Sequence, residues 1–200
     1  MKAERVAGVI LAAGTSSRMG KNKLFLELGG ATVLRRAVRT AGGAGLAPVL
    51  VVLGHESARA LHELEGLSCT PVLNPDYERG MNTSLRAGIA AVPEEAAAAV
   101  VLLADMPLVT ADMVRELVDR WRMSGAPLAL SLYGDVVAPP TLYARSLFPE
   151  LRALEADACG KRVVKQHRAE ALELSRPAGA LGDLDEPDDV ERARAQLEGA

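Results

Sequence analysis

The sequence predicts a three-layer α/β sandwich, one domain spanning residues 1–200 around a mainly parallel central sheet. Three observations predict it. Short runs of consecutive apolar residues, Val6 to Ala13, Val49 to Leu53 and Ala97 to Leu103, suit strands covered on both faces. Between them lie segments with apolar residues three or four positions apart, so strand and helix alternate and the strands pair in parallel. The chain has 200 residues, enough for a single core that removes about 70% of the unfolded surface from water.

Taken in order, Val6 to Ala13 is the first strand. Gly29-Gly30 is a turn, and Thr32 caps a helix with Val33, Leu34, Ala37, Val38 and Ala41 on one face, ended by Gly42-Gly43-Ala44-Gly45. Val49 to Leu53 is the second strand. A short helix from His55 to about Glu65 follows, with Ala58, Leu61 and Leu64 inward, then a third strand at Pro71 to Leu73. The turn-rich stretch Asn74 to Gly80 leads to a helix with Met81, Leu85, Ile89 and Val92 on its apolar side. Ala97 to Leu103 is the fourth strand, with the alanines from Ala96 as its lead-in. Thr110 then caps a helix carrying Met113, Val114, Leu117, Val118 and Trp121.

From Pro127 the pattern loosens. Leu128 to Leu132 and Val136 to Val137 read as short strand pieces, broken by Gly134 and by Pro139-Pro140. Helical signals return at Tyr143 to Leu154 and Gly160 to His167, followed by a strand at Ala171 to Leu174 and a charged terminal helix after the acidic run Asp183 to Asp189. There is no internal repeat, low-complexity tract or linker.

The totals exclude several classes. Charged residues make up 24% of the chain with a net charge of −3 and a pI near 5.7, and aromatic residues 3%, so neither phosphate neutralisation nor base stacking marks a nucleic-acid binder. No apolar run reaches the ~18 residues of a membrane span, and no basic region with an apolar core opens the chain, so the expected location is cytoplasmic. Cys69 and Cys159 are too few and too far apart for a disulfide framework or a CxxC zinc site, and read as reduced thiols. His55, His62 and His167 have no supporting partner in sequence and read as helix-surface residues.

The stretch Leu11 to Lys23 passes from an apolar strand through Gly14 into a loop with the hydroxyls of Thr15, Ser16 and Ser17 and the cations Arg18, Lys21 and Lys23. A glycine that admits close approach, hydroxyls and three cations suit a polyanion. Taken alone, the loop reads more simply as an ordinary strand-to-helix connection with solvated charges. In a parallel sheet, however, ligands bind beyond the carboxyl ends of the strands, and three features fall there: this loop, the Asn74 to Ser84 segment, and Asp105. A basic loop facing an isolated carboxylate suits a nucleoside triphosphate with a hard divalent cation. Walker A spacing fails, because from Gly14 the second glycine comes one residue late and Lys21 is followed by Asn22. GxGxxG is absent.

LAAGTSSRMGKNK at Leu11 to Lys23 resembles the signature of the sugar-nucleotide and cofactor nucleotidyltransferases with a Rossmann-like, nucleotide-diphospho-sugar transferase-like fold. NPDYERGMNTSLRAG at Asn74 to Gly88, DMP at Asp105 to Pro107 and DLDEPDD at Asp183 to Asp189 narrow the resemblance to the molybdenum cofactor cytidylyltransferase branch of the MobA-like NTP transferases. It covers most of the chain, is specific in the first half, and weakens between about Leu128 and Pro177.

The resemblance implies transfer of CMP from CTP to a molybdopterin-like acceptor with release of pyrophosphate, and a molybdenum hydroxylase as the enzyme served. The nucleotide half would be about 1–110 and the acceptor half about 111–200. Leu11, Ala12, Ala13 and Gly14 would contact base and ribose through backbone groups, and Arg18 and Lys23 the triphosphate. Asn74, Gly80 and Ser84 would complete the nucleotide pocket. Asp105 would bind Mg2+, or Mn2+ in its place, with Asp185, or else Asp183, as second carboxylate, although an acidic run before a helix is also what the helix dipole favours. Ala12-Ala13 resembles the cytidine-using branch; the guanine-using branch, with GTP, usually has Ala-Gly-Gly.

Two departures fall in the acceptor half. Ala138-Pro139-Pro140 stands where that branch usually has Gly-His-Pro, and Ala156-Asp157-Ala158-Cys159 where it has Gly-Asp-x-Gly, with Gly160 one residue late. Transfer to another small phosphate therefore stays open, as does a non-catalytic nucleotide-binding accessory role. Sugar-1-phosphate and methylerythritol-phosphate nucleotidyltransferases fit less well, since they typically carry Pro-Lys where this chain has Lys21-Asn22-Lys23.

Overall fold

In the computed structural model, which describes residues 4–15, 22–155, 160–182, 184 and 187–198, the first strand β1 (Arg5–Ala12) is an interior strand of a seven-stranded sheet. A two-residue ladder of β2 (Glu27–Leu28) and β3 (Ala31–Thr32) closes on the Gly29-Gly30 turn and delivers the chain to α1 (Val33–Gly43). Then follow β4 (Val49–Leu53), α2 (Ser57–Glu63), β5 (Thr70–Leu73), α3 (Met81–Ala90), β6 (Ala96–Leu103) and α4 (Ala111–Ser124). The second half contributes β7 (Leu128–Tyr133), β8 (Val136–Ala144), α5 (Phe148–Arg152), α6 (Lys161–His167), β9 (Leu172–Arg176) and α7 (Pro187–Glu198).

The strand order is β5-β4-β1-β6-β8-β7-β9. Only β8 runs against the others, pairing antiparallel with both β6 and β7, so the expected mainly parallel sheet is present. The consecutive apolar residues of β1 have a direct cause. Val6 and Ile10 face one core, beneath α1 and α4, while Ala7 and Val9 face the other, beneath α3 and α5. On the second face α3 lies so close to the sheet that a Cβ on Gly88 would overlap Val9.

The predicted caps are present. Thr32 Oγ1 accepts the Arg35 N–H at 3.3 Å and donates to Glu63 Oε2 at 2.9 Å, which ties α1 to α2. Thr110 Oγ1 accepts the Met113 N–H at 3.2 Å.

Several expectations need correction. In α2 the inward residues are Ala60 and Leu64, whereas Ala58 is exposed and Leu61 sits at the margin. Met81 opens α3 but is 60% exposed, because it lines an open cavity instead of the core. The alanines read as the lead-in to the fourth strand are in it as expected: Ala96 to Ala99 belong to β6, fixed by the β1 ladder despite alanine's helix preference.

The Pro139-Pro140 pair does not break its strand. β8 runs through it to Ala144, and Tyr143, expected in a helix, pairs with Leu128 and Ala99 instead. A register shift in β7 between Ala129 and Ser131 leaves room for the prolines, and side chains take up their carbonyls: Ser131 Oγ donates to Pro140 O and Tyr133 Oη to Pro139 O, each at 2.9 Å. Glycine is needed at the hairpin tip, where Gly134 has φ +62°. His167 has a partner after all, Glu150, both of whose carboxylate oxygens lie 3.0 Å from Nε2. Cys69 is a free thiol; Cys159 lies outside the described residues. Among the described residues no helix is long and apolar enough to cross a membrane.

Candidate active site

The carboxyl ends of the parallel strands β5, β4, β1 and β6 open on one edge of the sheet. At that edge the β1–β6 ladder continues one step beyond the strands, because Ala104 N–H donates to Leu11 O at 3.1 Å. This holds Asp105 above the end of β1. On the other side, Lys23 opens a single 3-10 turn, Lys23–Phe25, that is fixed at both ends. Asn22 Oδ1 accepts the Leu24 N–H at 3.2 Å, and the Leu24 side chain is buried in the core. The result is a contact: Lys23 Nζ lies 2.6 Å from Asp105 Oδ2, both side chains largely buried at 13% and 22% exposure. A charge-assisted bond of that length, away from bulk water, sets the position of both groups.

The pair forms one wall of a cavity of about 250 Å3. Of the residues predicted from sequence, Leu11, Ala12, Ala13, Gly14, Lys23, Ser84 and Asp105 line it. Asn74 does not. It is buried behind the wall, where its amide donates to Thr83 Oγ1 at 2.8 Å and Ser84 Oγ at 3.0 Å while its Oδ1 accepts the Asp76 N–H. Gly80 also stands outside the lining. It is the residue before α3, at φ +113°, a conformation that favours glycine. Both therefore shape the segment that presents Ser84 rather than face the cavity themselves.

Arg18 and Asp185 lie outside the described residues, as do Asp183, Ser16, Ser17 and Lys21. Leu184, between the two aspartates in sequence, is fully buried, and its N–H donates to Asp105 O at 3.1 Å. Sequence reasoning missed four lining residues, Leu24, Tyr77, Met81 and Leu103. Tyr77 and Met81 fall in a stretch that reads as a turn and a helix start, and only the folding of Asn74 to Ser84 around the Asn74 amide turns them to the cavity.

Among the described residues there is no group of three or more His, Cys, Asp or Glu that could hold an ion. A single carboxylate at the mouth of a phosphate-sized cavity does fit a hard cation that keeps its waters and shares its remaining positions with a phosphate.

The model of the MobA-like NTP transferase domain matches residues 8–171. The chain belongs to the MobA-like NTP transferase family. Within this family it is 30% identical over 211 residues to the purine catabolism protein PucB of Bacillus subtilis (strain 168), a match covering 98% of this chain and 100% of PucB. It is 30% identical over 139 residues to the molybdenum cofactor cytidylyltransferase of Escherichia coli (strain K12), covering 68% of this chain and 69% of that one. Among solved structures, Rv0371c from Mycobacterium tuberculosis H37Rv superposes with a TM-score of 0.86 at 27% identity, covering 97% of this chain and all of that one. A second Rv0371c structure, a complex with manganese, superposes with a TM-score of 0.78 at 28% identity, covering 98% of this chain and 100% of that one. The family membership makes the chain a nucleotidyltransferase.

Proposed function

We propose that this nucleotidyltransferase uses CTP and a divalent cation to transfer CMP to the terminal phosphate of a molybdopterin-type cofactor. The observation that carries the reading is the Lys23–Asp105 contact inside a cavity bordered by the Leu11 to Gly14 backbone. Ala12-Ala13 supports cytidine over guanosine. An acceptor phosphate oxygen attacks the α-phosphorus in line; the new P–O bond forms as the bond to the β-phosphate oxygen breaks, and pyrophosphate leaves. The attacking phosphate is already an anion, so no protein base or covalent nucleophile is required.

This chain's residues position and neutralise. Lys23, with Arg18 from the same loop, binds the triphosphate and stabilises the charge that grows on the α-phosphate, a preorganised effect that favours the transition state over the bound substrate. Asp105 would hold Mg2+ or Mn2+, with Asp185 as the second carboxylate that the family resemblance implies; the cation would supply charge neutralisation on the phosphates. The manganese complex of Rv0371c supports a divalent-cation site in this architecture.

A second acceptor is favoured by two specific observations. Ala138-Pro139-Pro140 lacks the imidazole of the cytidylyltransferase branch, and a relative matched over its whole length, PucB, is named for purine catabolism. The acceptor is then another small phosphate, with the nucleotide half unchanged. The deciding experiment incubates the protein with each α-labelled nucleoside triphosphate, Mg2+ or Mn2+, and purified molybdenum cofactor or other phosphate acceptors, and follows pyrophosphate. CTP-dependent pyrophosphate release with molybdenum cofactor is the expected result. CTP binding without pyrophosphate release for any acceptor would instead mark an accessory protein, for example one serving a molybdenum hydroxylase.

A further inference from the structure

The lining of the cavity is chemically mixed. Lys23 and Asp105 are its charged groups; Tyr77, Met81, Leu24 and Leu103 make much of the rest apolar. The chain has only six aromatic residues, and five are committed elsewhere. Trp121, Tyr133, Tyr143 and Phe148 are buried in the core, and the Arg59 guanidinium lies 4.0 Å over the Phe25 ring. Tyr77 is thus the one aromatic ring that lines the cavity.

Its position is enforced by Gly54, just beyond the end of β4. A Cβ at Gly54 would lie 2.5 Å from Tyr77 Cγ, 2.6 Å from Tyr77 Cβ and 2.9 Å from Ala13 Cβ, so any side chain there would push the ring from its seat. The ring therefore rests directly on backbone beside Ala13, whose carbonyl accepts the His55 N–H at 3.3 Å. The tyrosine hydroxyl is not tied into the core; it reaches the exposed Glu78 carboxylate at 3.2 Å. A ring seated by its body, with its polar tip outward, offers a face.

We infer that Tyr77, seated by Gly54, is a specificity-determining residue that stacks on the planar base of the bound nucleotide, so that the site selects a nucleoside triphosphate over a bare polyphosphate. The inference rests on the cavity being a nucleotide site. Every base has a π face, so the stack raises affinity for nucleotides in general, and the choice among bases falls to the Leu11 to Gly14 backbone and Ser84.

The test compares binding of CTP, GTP and inorganic tripolyphosphate, each with Mg2+, to the full-length chain and to Tyr77→Ala, Tyr77→Phe and Gly54→Ala, by titration calorimetry. Tyr77→Ala is expected to weaken CTP and GTP about tenfold and leave tripolyphosphate unchanged. Tyr77→Phe keeps the affinity, and Gly54→Ala loses it as Tyr77→Ala does. Equal loss for tripolyphosphate would reveal a structural role and overturn the inference. So would CTP affinity unchanged in Tyr77→Ala, including the case where only the KM for the phosphate acceptor rises. If the unaltered chain binds tripolyphosphate but neither nucleotide, the nucleotide reading of the site itself falls, a result separate from any variant.

Discussion

The Lys23 ammonium nitrogen lies 2.6 Å from an Asp105 carboxylate oxygen, although the two residues follow different strands, β1 and β6. The same pair that fixes the geometry of the cavity also balances its charge. Asp105→Asn keeps shape and volume but removes the negative charge. Turnover in the pyrophosphate assay is expected to fall about 100- to 1000-fold, the usual cost of removing one preorganised electrostatic group, with the circular dichroism spectrum unchanged. An unfolded variant would mean that Asp105 is structural.

A second buried cation is held differently. Arg176 on β9 has a side chain only 2% exposed, and it bonds to Glu116 Oε2 at 2.5 Å, to Met113 O at 2.8 Å and to Ser131 Oγ at 3.4 Å. Glu116 is 56% exposed and hydrates readily when alone; Arg176 does not. Glu116→Ala should therefore destabilise the fold by roughly 3 kcal/mol, since it leaves a guanidinium inside with its charge uncompensated. Urea denaturation measures this, and a loss below about 1 kcal/mol would show that the carbonyl and hydroxyl partners suffice.

Alkaline stability should depend on Tyr133. Burial pushes its phenol up to about 12, against the opposing pull of the nearby Arg176 charge. The neutral form is the one the fold prefers, so the contribution is complete below pH 10 and is lost as pH rises from 10 to 12. At 1.36 kcal/mol per pH unit this is roughly 2–3 kcal/mol. Denaturation midpoints of the unaltered chain should fall more steeply over that interval than those of Tyr133→Phe.

Gly88→Ala sets two effects against each other. Alanine in a helix gains up to about 1 kcal/mol over glycine. Here the added methyl would overlap Val9 and lie 3.0 Å from Val52, and overpacking of that kind costs about 1–3 kcal/mol. The clash is with interior strands of the sheet, which have little room to shift, so net destabilisation is expected. A thermal melt shows the sign directly.

The fold was legible wherever burial on both faces left a local signature. Val49 to Leu53 reads as a strand with its observed bounds, and Thr32 and Thr110 cap the helices they precede. What stayed hidden depends on distant partners. Tyr143 joins β8 because β6 and β7 flank it, and Pro139-Pro140 passes through a strand because Ser131 and Tyr133 satisfy its carbonyls. The site divides similarly. Gly14, Lys23 and Asp105 could be named because the chemistry resides in their residue types, and Leu11 to Ala13 and Ser84 because the motifs that hold them resemble those of a known family. Tyr77 could not, because its role arises from contact with Gly54, a residue with no side chain to signal it.

The bond from Leu184 N–H to Asp105 O gives the molecule a built-in observer. That amide is buried, belongs to the last part of the chain, and reports on a carbonyl in the same residue as the carboxylate that faces Lys23. Its hydrogen-exchange rate, read as one cross-peak, follows how firmly Leu184 is moored to Asp105, so a single proton far along the sequence can register events at the cavity.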